Sequence, residues 1–141
     1  MISPELERLV AIAALKVESP SRREYDGLVH SAEARLRDAE DKDLSLESRF
    51  DLAYNASHAL ALAALRRLGY RSSSRQLVFQ TLPHTAGLEV ADWRLLSKCH
   101  QRRNLAEYEG VVDVEERLVT DLIRTAKGLL TAVLALPPPE A

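Results

Sequence analysis

The stretch RFDLAYNASHALALAALRRLGY, Arg49 to Tyr70, is apolar almost all the way round when wound as a helix. A helix at a protein surface shows one apolar stripe, whereas one without a wet face has to be surrounded. The rest of the chain must therefore supply the elements that cover it. Its many alanines let neighbouring backbones approach closely, and Gly69 suits a left-handed helix end. One narrow polar stripe breaks the apolar surface: Asp51, Asn55, His58 and Arg66, at spacings of 4, 3 and 8.

The flanking segments read as the covering helices. Ser3-Pro4-Glu5 looks like a helix start, followed by Leu6, Leu9, Val10, Ala13 and Val17 at 3–4 spacing up to Ser19-Pro20. Ser21 with Glu24 forms a capping-box pattern opening a helix to about Asp41, with Tyr25, Leu28, Val29, Ala32 and Leu36 on one face. The central helix opens near Ser45 and runs to Leu68. RSSSRQ (71–76) is a loop signal, and LVFQTL suits a short helix before Pro83. Leu88 to about Tyr108 reads as a fourth long helix ended by Gly110. Asp113 and Glu116 make another capping-box pattern before an amphipathic run from Leu118 to Leu134.

This predicts an all-α fold: an up-and-down antiparallel bundle of four to five long helices plus a short helix. Residues 1–136 form a single helical bundle domain, and 137–141 (PPPEA) a disordered Pro-rich tail. Composition agrees, since Leu (24) and Ala (19) far outnumber Ile and Val (13 together), and β-branched residues lose more side-chain freedom in helices.

Composition also narrows the function. A single cysteine, Cys99, allows no internal disulfide and fits a reducing compartment. No apolar run approaches the ~20 residues that cross a membrane. No charged leader precedes an apolar segment, so a cytoplasmic protein without membrane contact is expected. With one thiol and scattered histidines, neither a metal site nor a cofactor is expected. The net charge of −2 hides an asymmetry. Residues 66–103 carry 8 basic and 2 acidic side chains, a balance of +6, while the segments on either side are each −4. A basic stretch of this kind marks a candidate polyanion-binding surface.

The run KCHQRRNLAEYEG (98–110) closes that basic segment. At about 100° per residue, Trp93, Leu96, His100, Arg103, Asn104 and Glu107 share one arc of ~100°, while Arg102 and Lys98 point elsewhere. A strip that is apolar at one end and donor-rich at the other packs against something. Guanidinium gives a planar donor fork, the amide both donates and accepts, and an imidazole moves protons near neutral pH. The bland alternative is that Glu107 pairs with Arg103 four residues earlier while His100 caps a buried contact. His58 and His84 are further candidate cleft residues, though a lone core histidine is more often structural. Cys99 faces away from the arc and reads as a small packed hydrophobe.

The order of these pieces resembles the HEPN family. The matching stretches are Arg49 to Arg71, His84 within TLPHT, and RRNLAEYEG (102–110), within roughly residues 45–135. The resemblance implies a short helical bundle that dimerises. Many members are metal-independent ribonucleases, often toxins beside a small nucleotidyltransferase, and others are non-catalytic binding modules. Nucleolytic members carry an arginine, a polar residue, and a histidine five residues after the arginine, brought into one cleft by two protomers.

Arg103 and Asn104 match the first two positions, but the histidine position falls on Tyr108 and the tyrosine two residues later on Gly110. A phenol with a pKa near 10 is a poor base. The resemblance therefore implies a degenerate, non-catalytic homodimer. Such a module would bind RNA, a nucleotide or a nucleotidyltransferase-type protein partner through Arg103, Asn104 and Glu107, with Arg102, His58 and His84 as further binding candidates. The alternative is a metal-independent RNase, the toxin of a toxin–antitoxin pair, in which Arg103 and Asn104 act with His100 or Tyr108. DNA binding through the basic middle segment ranks below both, because no recognition-helix pattern is present.

Overall fold

The computed structural model describes residues 3–110 and 113–141 and is an all-α bundle. Seven helices occur among the described residues: α1 (Pro4–Ala11), α2 (Arg22–Ala39), α3 (Leu46–Arg66), α4 (Arg75–Gln80), α5 (Leu82–Thr85), α6 (Val90–Glu109) and α7 (Glu116–Leu134). Four are long and three short, around a two-residue antiparallel ladder of β1 (Lys16–Val17) and β2 (Tyr70–Arg71).

Helix α3 is the axis, as its uniform apolarity requires. Phe50, Ala53, Tyr54, Ala56, Leu60, Ala61, Ala63, Ala64 and Leu65 on it are buried. Helices α2 and α7 cover one flank, each through its own apolar stripe: Tyr25, Val29, Ala32 and Leu36 from α2, Leu118, Leu122, Ala126, Leu129 and Val133 from α7. Helices α4, α5 and α6 cover the other flank, with Val78, Phe79, Leu82, Leu96 and Cys99 buried. Burial pushes the Cys99 thiol up to about 12, which suits an inert packed side chain.

The caps show how local chemistry fixes the ends. Ser45 Oγ accepts from the Ser48 amide at 3.1 Å and Ser74 Oγ from the Leu77 amide at 3.2 Å. Gly69 and Gly110 follow their helices at φ +88° and +76°, the left-handed region glycine enters freely. Ser21 Oγ accepts from the Glu24 amide at 3.2 Å, forming half of the expected capping box. The other half is diverted, because the Glu24 carboxylate turns to Arg66 and Arg71.

That diversion belongs to a buried knot at one end of the bundle. Arg66, only 2% exposed, donates to Glu24 Oε1 (2.7 Å) and to the carbonyls of Glu18 (2.9 Å), Ser19 (2.7 Å) and Tyr70 (3.3 Å). Burial pushes the Glu24 carboxyl up, but the hydrogen bonds from Arg66 and Arg71 outweigh it and hold it below its usual range. Arg66 thus leaves the polar stripe that its spacing suggested and serves the fold.

The same knot explains why α1 ends at Ala11, although the 3–4 spacing continues to Val17. Ala13 turns into the left-handed region (φ +60°), and the backbone of 16–17 pairs with 70–71 beside Arg66. Leu15 is buried by this reversal. The second expected capping box is also absent: α7 opens at Glu116 with Glu115 as an N-cap lacking a side-chain bond, and Asp113 stands outside it. Residues 137–141 hold no regular structure, yet the Pro137 carbonyl accepts from Arg67 Nε at 2.9 Å and that of Ala141 from the Arg22 amide at 2.6 Å. No helix among the described residues is long and apolar enough to cross a membrane.

Candidate functional site

The remaining three members of the α3 polar stripe, Asp51, Asn55 and His58, face the side where α4 and α6 pack. Between them on the helix lies Tyr54, 1% exposed, whose ring organises the site. Its hydroxyl lies 2.7 Å from His100 Nδ1, joining α3 to α6. The Arg103 guanidinium carbon is 5.1 Å from the Tyr54 ring centroid and that of Arg75 is 5.7 Å away. Two cations are thus drawn to one ring, an attraction of about 0.5–2 kcal/mol each according to their hydration.

Phe79 of α4 forms the apolar floor. Its ring centroid is 5.9 Å from Tyr54, 5.9 Å from His58 in an edge contact, and 6.1 Å from His100. The guanidiniums are steered from the rim: Arg75 Nη1 donates to Asn55 Oδ1 at 3.2 Å, and Arg103 Nε lies 3.4 Å from Asp51 Oδ1. Asn55 is itself held by its Nδ2–H donating to the Asp51 carbonyl at 2.8 Å. The Asn104 carboxamide meets His100 Nε2 at 3.1 Å. Beyond Arg103 opens a groove of about 310 Å³ lined by Glu47, Ser48, Asp51, Ala106, Glu107 and Gly110.

Both imidazoles are held in the neutral form. His58 is pushed down to about 4, first by burial and then by the charges of Arg75 and Arg103 and of His100 whenever it is protonated. His100 is lowered by burial and by Arg75 and Arg103, against an opposing push from Glu107. At neutral pH the cluster's two guanidinium charges therefore stand beside two uncharged rings, with the Asp51 carboxylate against Arg103.

Of the residues singled out in the sequence, His100, Arg103, Asn104 and His58 come together here, and Glu107 lines the adjoining groove. Glu107 does not pair with Arg103; Asp51 takes that place. Arg102 turns aside and donates to the Asp113 carbonyl at 3.0 Å. Tyr108 is 92% exposed, and His84 on α5 is also exposed; among the described residues neither makes a hydrogen bond or ring contact with the cluster. Two members carry no sequence signal strong enough to pick them out. Arg75 sits inside a serine-rich loop signal, and Tyr54 reads as core. The polar stripe that flanks Tyr54 on both sides is the pointer that was there to use.

Searches of protein-family models, of curated proteins and of solved structures find no match to this chain. Among the described residues no group of three or more metal-ligating side chains converges.

Proposed function

We propose that this chain is a non-catalytic, HEPN-like helical module. It acts as a homodimer and binds a phosphate-bearing ligand, RNA or a nucleotide, through the face built by Arg103, Asn104 and Arg75. The observation that carries the reading is the pair of guanidiniums over one tyrosine ring beside two neutral imidazoles. A planar donor fork matches phosphate oxygens bidentately, and an aromatic floor limits the water that competes for it. The carboxylates of Asp51 and Glu107 oppose an anion. However, the Asp51–Arg103 pair is long and about half exposed on the carboxylate side, and exposed pairs of this kind contribute only ~0–1 kcal/mol. A phosphate can displace it. A nucleotidyltransferase-type protein partner presenting an acidic or phosphorylated segment would use the same donors.

One feature favours a second reading, a metal-independent endoribonuclease. His100 is neutral beside Arg103, as a general base must be before it accepts a 2′-hydroxyl proton, and Arg103 would stabilise the charge that develops on phosphorus. One experiment separates the two. Fluorescent single-stranded RNA is titrated with the protein in the presence of a metal chelator, following anisotropy and RNA length together. Binding with intact RNA supports the module, and cleavage that disappears in Arg103→Ala supports the enzyme. If RNA and nucleotides are neither bound nor cut and the protein is monomeric by light scattering, both readings fall.

A further inference from the structure

The role of His100 in this cleft is decided by which ring nitrogen carries its proton, and the residue that decides it lies behind the imidazole. The Tyr54 hydroxyl is buried, and among the described residues its hydrogen-bond partner is His100 Nδ1 at 2.7 Å. Two arrangements satisfy that distance. If Nδ1 carried the proton it would donate to the phenol oxygen, and the Tyr54 O–H would have no acceptor. A buried hydroxyl left without one costs on the order of 1–3 kcal/mol. If the phenol donates instead, Nδ1 is the acceptor, nothing is orphaned, and the proton sits on Nε2. At the other end the Asn104 carboxamide faces Nε2 at 3.1 Å. An amide is nearly the same shape turned end for end, so it follows whichever state the ring takes, with its oxygen or its NH2 group. Asn104 is exposed and free to turn, while Tyr54 is not.

We propose that Tyr54 is a positioning residue: its buried hydroxyl donates to His100 Nδ1 and fixes the proton on Nε2, so that the imidazole enters the cleft as a hydrogen-bond donor to a bound anion. The inference deepens the phosphate-binding reading and rests on it for the identity of the ligand. Both lone-pair sites of the ring are then used, one by the phenol and one by the proton. His100 has no free nitrogen with which to act as a base. The Nε2–H joins the guanidiniums of Arg103 and Arg75 as a third donor. Asn104 releases Nε2 when an anion takes that place and turns its NH2 group to the same anion. The neighbouring charges agree with a neutral donor here: Arg75 from α4 and Arg103 from the same helix disfavour a second proton on the ring, as does a protonated His58 from α3, and Glu107 opposes them.

The test reads the ring directly. In the full-length 15N-labelled protein at pH 7, long-range 1H–15N correlation spectra should show His100 Nδ1 as the unprotonated nitrogen and Nε2 as the protonated one. Tyr54→Phe should mix the two tautomers, and Asn104→Ala should leave them unchanged. Adding inorganic phosphate should shift the Nε2 resonance of the wild type, and its affinity should fall about twofold in Tyr54→Phe, the factor by which an even tautomer mixture dilutes the Nε2–H form. A protonated Nδ1 in the wild type would overturn the proposal. So would a tautomer that follows Asn104 rather than Tyr54, or phosphate binding that leaves Nε2 unmoved. Because the tautomer is read without ligand, its failure differs from failure of the phosphate reading, in which the lock is seen but phosphate does not bind.

Discussion

Replacing Phe79 with alanine tests whether the site and the core are one object. The Phe79 side chain is fully buried and lies against the rings of Tyr54, His58 and His100. Its removal deletes the floor on which α3, α4 and α6 meet. Buried Phe→Ala changes cost about 3–5 kcal/mol, combining lost transfer energy with the cavity left behind. At ~2.1 cal/mol/K of unfolding entropy per residue, a chain of 141 residues loses about 3.4 °C per kcal/mol. The expected fall in Tm is therefore roughly 10–17 °C, read by circular dichroism at 222 nm. The same substitution opens His58 to water. Burial is the largest reason its pKa lies near 4, so a histidine titration followed by NMR should show it rising toward 6.5. A Tm within about 3 °C of wild type, together with an unmoved His58, would refute the claim that Phe79 supports both.

Three further outcomes follow from the geometry. His58 has a folded pKa of about 4 against 6.5 for the free side chain; its protonation favours the unfolded chain. Stability is complete above pH 6.5 and declines as pH falls from 6.5 to 4, and urea melts of wild type and His58→Gln should converge across that window. Arg66→Ala leaves three backbone carbonyls short of their donor while Arg71 still holds Glu24, and should lower stability by about 1–3 kcal/mol in urea, the cost of leaving a buried acceptor unsatisfied. Gly69→Ala at φ +88°, with the Glu18 carbonyl 3.7 Å from the added carbon, should cost on the order of 1 kcal/mol through backbone strain alone, visible as a smaller shift of the same midpoint.

The bundle was legible because its strongest signals are local. A 21-residue helix with no wet side has one way to be satisfied, and serine and glycine mark the ends of α2, α3, α4 and α6 by short-range hydrogen bonds and backbone freedom. What could not be read depends on pairs far apart in sequence. Nothing near Lys16 announces that its backbone will pair with Arg71, and the apolar spacing through Val17 is equally compatible with helix. Glu24 has the right place for a capping box, but a buried arginine 42 residues away competes for it. The site divides in the same way. His100, Arg103 and Asn104 share one helix face and could be found from the 3.6-residue period. Arg75 joins them only because α4 folds back onto α6, and Tyr54 shows its role only once its hydroxyl is seen to reach His100.

The central claim, that Arg75 and Arg103 form one anion-binding unit over Tyr54, is tested most directly by the salt dependence of RNA-oligonucleotide binding in the wild type, Arg75→Ala and Arg103→Ala. Each alanine variant should bind about tenfold more weakly, and the slope of log affinity against log salt should fall by roughly one for each guanidinium removed. Affinity and slope that are the same in all three proteins would contradict the account.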